Sequence, residues 1–218
     1  RQIIALLSAF SALYISYVAM VQNDLKRMIA YSSITHMSLT LLAISVSFYI
    51  KIGFPALSNI LLVGAIFLMI SHAFIVGALF LLAGVVHEHA GTREIEKLSG
   101  LNFLMPKFSL SLILASLGEI GLPGTSGFIA EILIIIGIIP LALTNQLFLV
   151  LTILVLATLV VTTGYILHML KRVAFGPKKE ITKVDGDAKA LEVIPPILMM
   201  IISIILGIIP IIILYGFV

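Results

Sequence analysis

Long apolar runs alternate with short polar clusters along the whole chain, and the runs have the length of membrane-crossing helices. A span needs roughly 20 apolar residues. Six regions meet that length: I near 3–21, II near 28–50, III near 57–86, IV over 106–139, V near 146–170 and VI over 193–216. Between them lie the turn 22–27, a stop at Lys51-Ile52-Gly53-Phe54-Pro55, and a charged loop over 87–105. Pro140 and Asn145 mark the next turn, and a lysine-rich loop covers 171–192. Region VI contains Pro195, Pro196 and Pro210. The pattern predicts an all-α polytopic membrane protein, a single membrane domain over 1–218, with no internal repeat.

Region IV departs from the pattern. Gly121, Pro123, Gly124 and Gly127 fall inside an apolar stretch that would otherwise be one helix. The helix is predicted to break near 121–127, with Glu119 and Glu131 bracketing the break. Irregular backbone at membrane depth is tolerated only where protein or a water-filled cavity surrounds it. Broken helices near the midplane recur at transporter ion sites, and a buried carboxylate beside one is a functional candidate.

Composition agrees: 61% of residues are hydrophobic and 11% charged. Cys is absent, which excludes disulfides, thiolate metal sites and cysteine-held iron–sulfur clusters. Trp is also absent, so an interfacial aromatic belt would rely on Tyr. The position of the charges says more than their sum. With six spans, Arg1 and Lys51 fall on one side. Lys26, Arg27, Arg93, Lys97, Lys107, Lys171, Arg172, Lys178, Lys179, Lys183 and Lys189 fall on the other. That second side is predicted to face the cytoplasm or mitochondrial matrix.

Polar residues inside the spans supply the candidate chemistry. Ser32, His36 and Thr40 share one face of region II at four-residue steps. They line a proton path or glue a helix–helix contact. The simpler contact suits Ser32 and Thr40. A buried imidazole is expensive without a use, and His relays protons near neutral pH. Ser71 and His72 lie mid-span in region III, where Gly64 and Gly77 permit close neighbours. Thr158, Thr162, Tyr165 and His168 stripe region V, with His168 near its basic end. The triplet His87-Glu88-His89 reads as solvated loop, since adjacent residues without further ligands make no metal site. Accordingly, no metal site is expected.

The two carboxylates differ. Glu131 falls in the first turn of the second half-helix, whose positive end favours an anion, while burial favours the neutral acid. Opposed influences suit a group that takes up and releases a proton. Glu119 ends the first half-helix, where carbonyls disfavour an anion. It is expected to be neutral, or to have a cationic partner on another chain.

Several of these segments together resemble a known family. Asp24-Leu25-Lys26-Arg27-Met28-Ile29-Ala30-Tyr31-Ser32-Ser33-Ile34-Thr35-His36-Met37 resembles the signature between the ninth and tenth spans of the antiporter-like subunits of respiratory complex I. Met69-Ile70-Ser71-His72 with Leu79–Gly84 resembles the next span. Thr92-Arg93, Leu98-Ser99-Gly100-Leu101, Gly121-Leu122-Pro123-Gly124-Thr125 and Phe128-Ile129-Ala130-Glu131 resemble the subunit 4 branch. The other antiporter-like subunits usually have lysine where Glu131 stands. The match runs from Arg1 to about Gly176.

The resemblance implies the C-terminal half of a fourteen-span fold. It implies a proton-translocating membrane-arm subunit of NADH:ubiquinone oxidoreductase, driven by redox chemistry elsewhere, with no cofactor in this chain. Glu131, His72 and His36 would carry protons, with Ser32, Thr40, Ser71, Glu119 and His168 as further candidates on the path. The expected partners are neighbouring membrane-arm subunits and membrane lipids. A separate N-terminal half would supply the buried lysines that none of these spans has; a split gene and a truncated fragment both fit. Isoleucine-rich composition points to a mitochondrial inner membrane, with a bacterial plasma membrane as the alternative. A multisubunit cation/proton antiporter shares the motifs, and a structural piece that no longer pumps is the third reading.

Overall fold

The computed structural model describes residues 1–177 and 184–211. Lys178, Lys179 and Lys183 of the charge count, and the end of region VI beyond 211, lie outside the described residues. Among those described, the ordered elements are helices: α1 (Gln2–Met20), α2 (Leu25–Ile50), α3 (Pro55–Ala90), α4 (Leu101–Leu104), α5 (Pro106–Glu119), α6 (Ser126–Ala142), α7 (Gln146–Val173) and α8 (Ala190–Ile208). Helices α1, α2, α3, α7 and α8 are each long and apolar enough to cross a membrane. The sixth predicted span is the α5–α6 pair. At about 1.5 Å per residue neither half crosses the roughly 30 Å hydrocarbon layer alone.

Local chemistry sets the helix ends. Asp24 caps α2 by accepting from the Arg27 amide at 2.9 Å, and Asn145 caps α7 through the Leu147 amide at 2.9 Å. Helix α3 ends at Gly91, whose φ of 66° opens the left-handed exit. It is 36 residues long, more than a bilayer needs. His87-Glu88-His89, predicted as loop, therefore forms its protruding last turn. The rest of the predicted loop contains α4. Pro140, predicted to mark a turn, lies inside α6. It sits in the last turn, where a missing N–H removes a single helical bond. Pro195 and Pro196 fall inside α8, which starts at Ala190 rather than 193.

Helix α3 is the central element, packing against α2, α5, α6 and α8. Helix α1 packs on α2 and α7. The segments counted together as basic meet through hydrogen bonds. The Leu25 amide donates to Arg93 O at 3.0 Å and the Ile95 amide to Asn23 O at 2.7 Å. Asn102 donates to Ala174 O at 3.1 Å, and Ser99 Oγ to Pro177 O at 2.6 Å. The Lys107 amide donates to Asp187 at 3.1 Å. The described parts of these segments thus meet at one end of the bundle. At the other end, Arg1 donates to Phe48 O at 2.9 Å.

Candidate functional site

The break in the fifth and sixth helices builds the site. Helix α5 stops at Glu119, and residues 120–125 form a non-helical break before α6 starts at Ser126 and continues the span. Gly121 and Gly124 adopt φ of 68° and 101°, which an ordinary side chain rarely tolerates. The break satisfies its own backbone. The Gly121 amide donates to Gly118 O at 3.1 Å, the Leu122 amide to Leu117 O at 3.0 Å and the Thr125 amide to Leu122 O at 3.0 Å. A Cβ on Gly121 would overlap the Glu131 carboxylate, and one on Gly127 would meet Gly118 O at 2.6 Å. These glycines let the two half-helices close over the acid.

Glu131 lies in the second turn of α6, not the first as predicted, because the helix already begins at Ser126. The field of a helix end fades within a turn, so its surroundings decide its chemistry more than the helix dipole does. Those surroundings centre on His36. Its Nδ1 stands 3.2 Å from Glu119 Oε1 and its Nε2 3.8 Å from Glu131 Oε1. His36 and Glu119 are buried, at 2% and 3% exposure; the Glu131 side chain is 14% exposed. Neither His36 nitrogen has hydrogen-bond geometry to a partner despite the short approach. Glu119, expected to be neutral or to have a cationic partner on another chain, instead faces a histidine of its own chain. The His72 ring packs edge-on to His36 with centroids 5.1 Å apart, and its Nε2 is buried without a hydrogen bond.

The remaining predicted residues divide. Ser71 joins the site: its hydroxyl lies 2.8 Å from that of Ser126, which lies 2.8 Å from that of Ser203. This buried hydroxyl row ties α3, α6 and α8 together. Ser32 faces Glu119 while donating to Ile29 O at 2.9 Å. Thr40 donates to His36 O at 3.0 Å and supports the helix rather than the cluster. His168 is exposed on the outer surface of α7 and does not join the cluster. Sequence reasoning did not single out Ser126 and Ser203 and placed Tyr165 only in a polar stripe. The Tyr165 hydroxyl is buried toward Thr162 and Ser32 without a hydrogen bond of good geometry. The four- and three-residue steps from Thr158 through Thr162 to Tyr165 were its signal in the sequence.

A cavity of about 10 Å³ sits at the centre, lined by His36, Ser71, His72, Glu119, Gly127 and Glu131 among others. That is close to the space one water molecule requires. A groove of about 250 Å³ reaches Glu119 and Glu131 from the α7 side, past Thr162 and Thr163. His36, His72 and Glu119 also bring one ligand atom each within 4.8 Å of one another, a grouping invisible in the sequence because three helices supply it. His89 instead makes an interfacial clasp, 2.9 Å from Glu192 Oε2 and 3.1 Å from Asp185 O.

Membrane-crossing helices around one broken helix, with a buried carboxylate–histidine cluster at the break, define an antiporter-like membrane subunit. Comparison with known proteins makes the class specific. The chain belongs to the NADH:quinone oxidoreductase/Mrp antiporter transmembrane family, which it matches over residues 1–162. It is 35% identical over 208 residues to NADH-quinone oxidoreductase subunit M of Rhodobacter capsulatus, covering 94% of this chain and 37% of that protein. It is 34% identical over 191 residues to F(420)H(2) dehydrogenase subunit M of Methanosarcina mazei, covering 88% and 35%. Among solved structures it superposes on respiratory complex I from Thermus thermophilus with a TM-score of 0.83 and 25% identity, covering 99% of this chain and 42% of that one. The Mrp complex from Dietzia, at a TM-score of 0.72 and 18% identity, shares the fold. The chain thus spans well under half the length of these relatives.

Proposed function

We propose that this chain is the C-terminal, proton-translocating part of the subunit 4 (subunit M) type in a redox-driven respiratory complex. One observation carries the reading. His36 is held between two carboxylates, Nδ1 toward Glu119 and Nε2 toward Glu131, beside a helix break. A proton received on one ring nitrogen of a histidine can be released from the other. Glu119, His36 and Glu131 then form a relay through the break, with His72 as the inner contact and the hydroxyls of Ser32, Ser71 and Tyr165 around it. The α7-side groove gives Glu131 a route toward water. The redox chemistry belongs to other subunits, and this chain contributes no cofactor. The electron donor is set there too, since similar chains serve an NADH-quinone oxidoreductase and an F(420)H(2) dehydrogenase.

The rest of a fourteen-span subunit, in the same or a second polypeptide, supplies the buried lysines that feed this cluster. Other membrane-arm subunits cover the exposed apolar faces. The bacterial and archaeal sources of the relatives support a prokaryotic plasma membrane over the mitochondrial inner membrane, with the basic end inside. The family description also includes Mrp antiporters; sodium-dependent proton exchange without quinone-linked electron transfer in the isolated complex would select that reading. The decisive test is Glu131→Gln in the assembled complex. Loss of most proton translocation per electron pair is expected. An unchanged ratio would overturn the role of Glu131 and favour a structural piece.

A further inference from the structure

We propose that His36, His72 and Glu119 form a binding site for a Zn²⁺-class ion, reached through the groove between the helix break and α7. The geometry is the starting point. One ligand atom from each residue lies within 4.8 Å of the others, and His36 Nδ1 to Glu119 Oε1 is already 3.2 Å. Ligands bound to zinc at about 2.0–2.2 Å in tetrahedral array stand about 3.3–3.6 Å apart. Small side-chain rotations therefore close the set.

The ligand atoms are poorly satisfied. His36 Nδ1 and Glu119 Oε1 face each other at 3.2 Å without hydrogen-bond geometry, and His36 Nε2 and His72 Nε2 are buried with no hydrogen bond. Unpartnered polar atoms at such depth are expensive, and two imidazoles with one carboxylate are a common zinc ligand set. The small cavity of about 10 Å³ that they share offers the space in which the ion would sit. The outer contacts match a metal site as well. With Nδ1 on the ion, His36 Nε2–H points toward Glu131 Oε1, 3.8 Å away. Drawn in to hydrogen-bond distance, that contact would be the carboxylate–histidine–metal arrangement that orients metal-bound imidazoles. The Glu119 and Glu131 carboxyl groups supply the negative charge that a divalent ion calls for. Entry is provided by the groove of about 250 Å³, which shares both carboxylates with the inner cavity.

A bound ion would hold the same side chains that the proton-carrying reading uses, so its effect on pumping rests on that reading; binding itself does not. The test uses the intact native membrane complex, stripped with a chelator and reloaded with Zn²⁺ alone. Zinc content and the Zn K-edge difference spectrum before and after loading are measured. The expected result is one added equivalent with two imidazoles and a carboxylate oxygen in its first shell. An assembled His72→Ala complex is expected to lose that equivalent at the same Zn²⁺ concentration. Glu131→Gln is expected to keep the two-imidazole spectrum while binding roughly 10–100-fold more weakly.

No added equivalent, or a first shell with fewer than two imidazoles, would overturn the site. If His72→Ala fails to assemble, the wild-type spectrum alone decides. Intact zinc binding in a complex whose pumping ignores Glu131→Gln would sink the proton-carrying reading and leave the metal site standing.

Discussion

His36 Nδ1 stands 3.2 Å from Glu119 Oε1, with the two side chains only 3% and 2% exposed. Neither group has a better-placed partner for its charge. Removing one member of such a pair leaves the other stranded, which typically costs about 3–5 kcal/mol. Glu119→Ala is therefore expected to lower the amount of assembled complex sharply. Glu119→Gln keeps the shape and a hydrogen-bonding group, so it should assemble better than the alanine variant yet pump fewer protons per electron pair. Quantifying complex by native gel and pumping by proton-to-electron ratio separates the two effects. Normal pumping in Glu119→Gln would reduce the pair to packing.

Gly121→Ala probes the break itself. The new methyl group requires a φ of 68° and overlaps the Glu131 carboxylate. Left-handed backbone costs roughly 1–2 kcal/mol for a residue with a Cβ. The larger consequence is displacement of Glu131 from His36. Pumping is expected to fall about as far as in Glu131→Gln, with electron transfer chemistry in the other subunits retained. A Gly121→Ala complex with an unchanged proton-to-electron ratio would show that the position of Glu131 at the break is not critical.

The helices were readable in the sequence because hydropathy fixes membrane spans strongly. The break was readable because Gly121, Pro123 and Gly124 cannot continue a helix at that depth. The split of region IV came out at 120–125, close to the predicted 121–127. What could not be read was which helix faces which. Glu119 looked like an acid awaiting a partner from elsewhere, because its partner His36 lies 83 positions away on α2, and one helix's periodicity says nothing about its neighbour. For the same reason Ser126 and Ser203 were missed. Each is a lone hydroxyl on its own helix, and they become a row only after α3, α6 and α8 pack. His168 shows the converse case. Its spacing puts it on the polar stripe of α7, but its closeness to the basic end at Lys171-Arg172 favoured an interfacial role, and it is exposed there rather than in the cluster.

Ser126→Ala cuts the hydroxyl row in its middle. Ser126 bridges Ser71 and Ser203 at 2.8 Å on each side. Buried hydrogen bonds between membrane helices average about 0.6 kcal/mol each, so the loss of two is expected to destabilise the fold by about 1 kcal/mol. Thermal inactivation of the solubilised complex should shift down modestly, with the variant still assembled. If the row also carries protons, pumping would drop in the assembled variant; a stability shift with unchanged pumping assigns the row to packing of α3, α6 and α8.

Two histidines give an internal control. His72 packs edge-on against His36 with ring centroids 5.1 Å apart, whereas His168 is exposed on the outer surface of α7. His72→Ala removes a ring from the cluster and opens space beside His36, so the relay through Glu119 loses its inner wall. A partial loss of pumping is expected in complex that still assembles. His168→Leu replaces an exposed imidazole with an apolar group suited to lipid or an apolar neighbour. It is expected to leave the proton-to-electron ratio within error of wild type. The comparison is made at matched amounts of assembled complex, because a core histidine that only supports packing would lower abundance and leave the ratio alone. Equal defects from both substitutions would contradict the placement of the proton path on the α2–α3–α5–α6 side of the bundle.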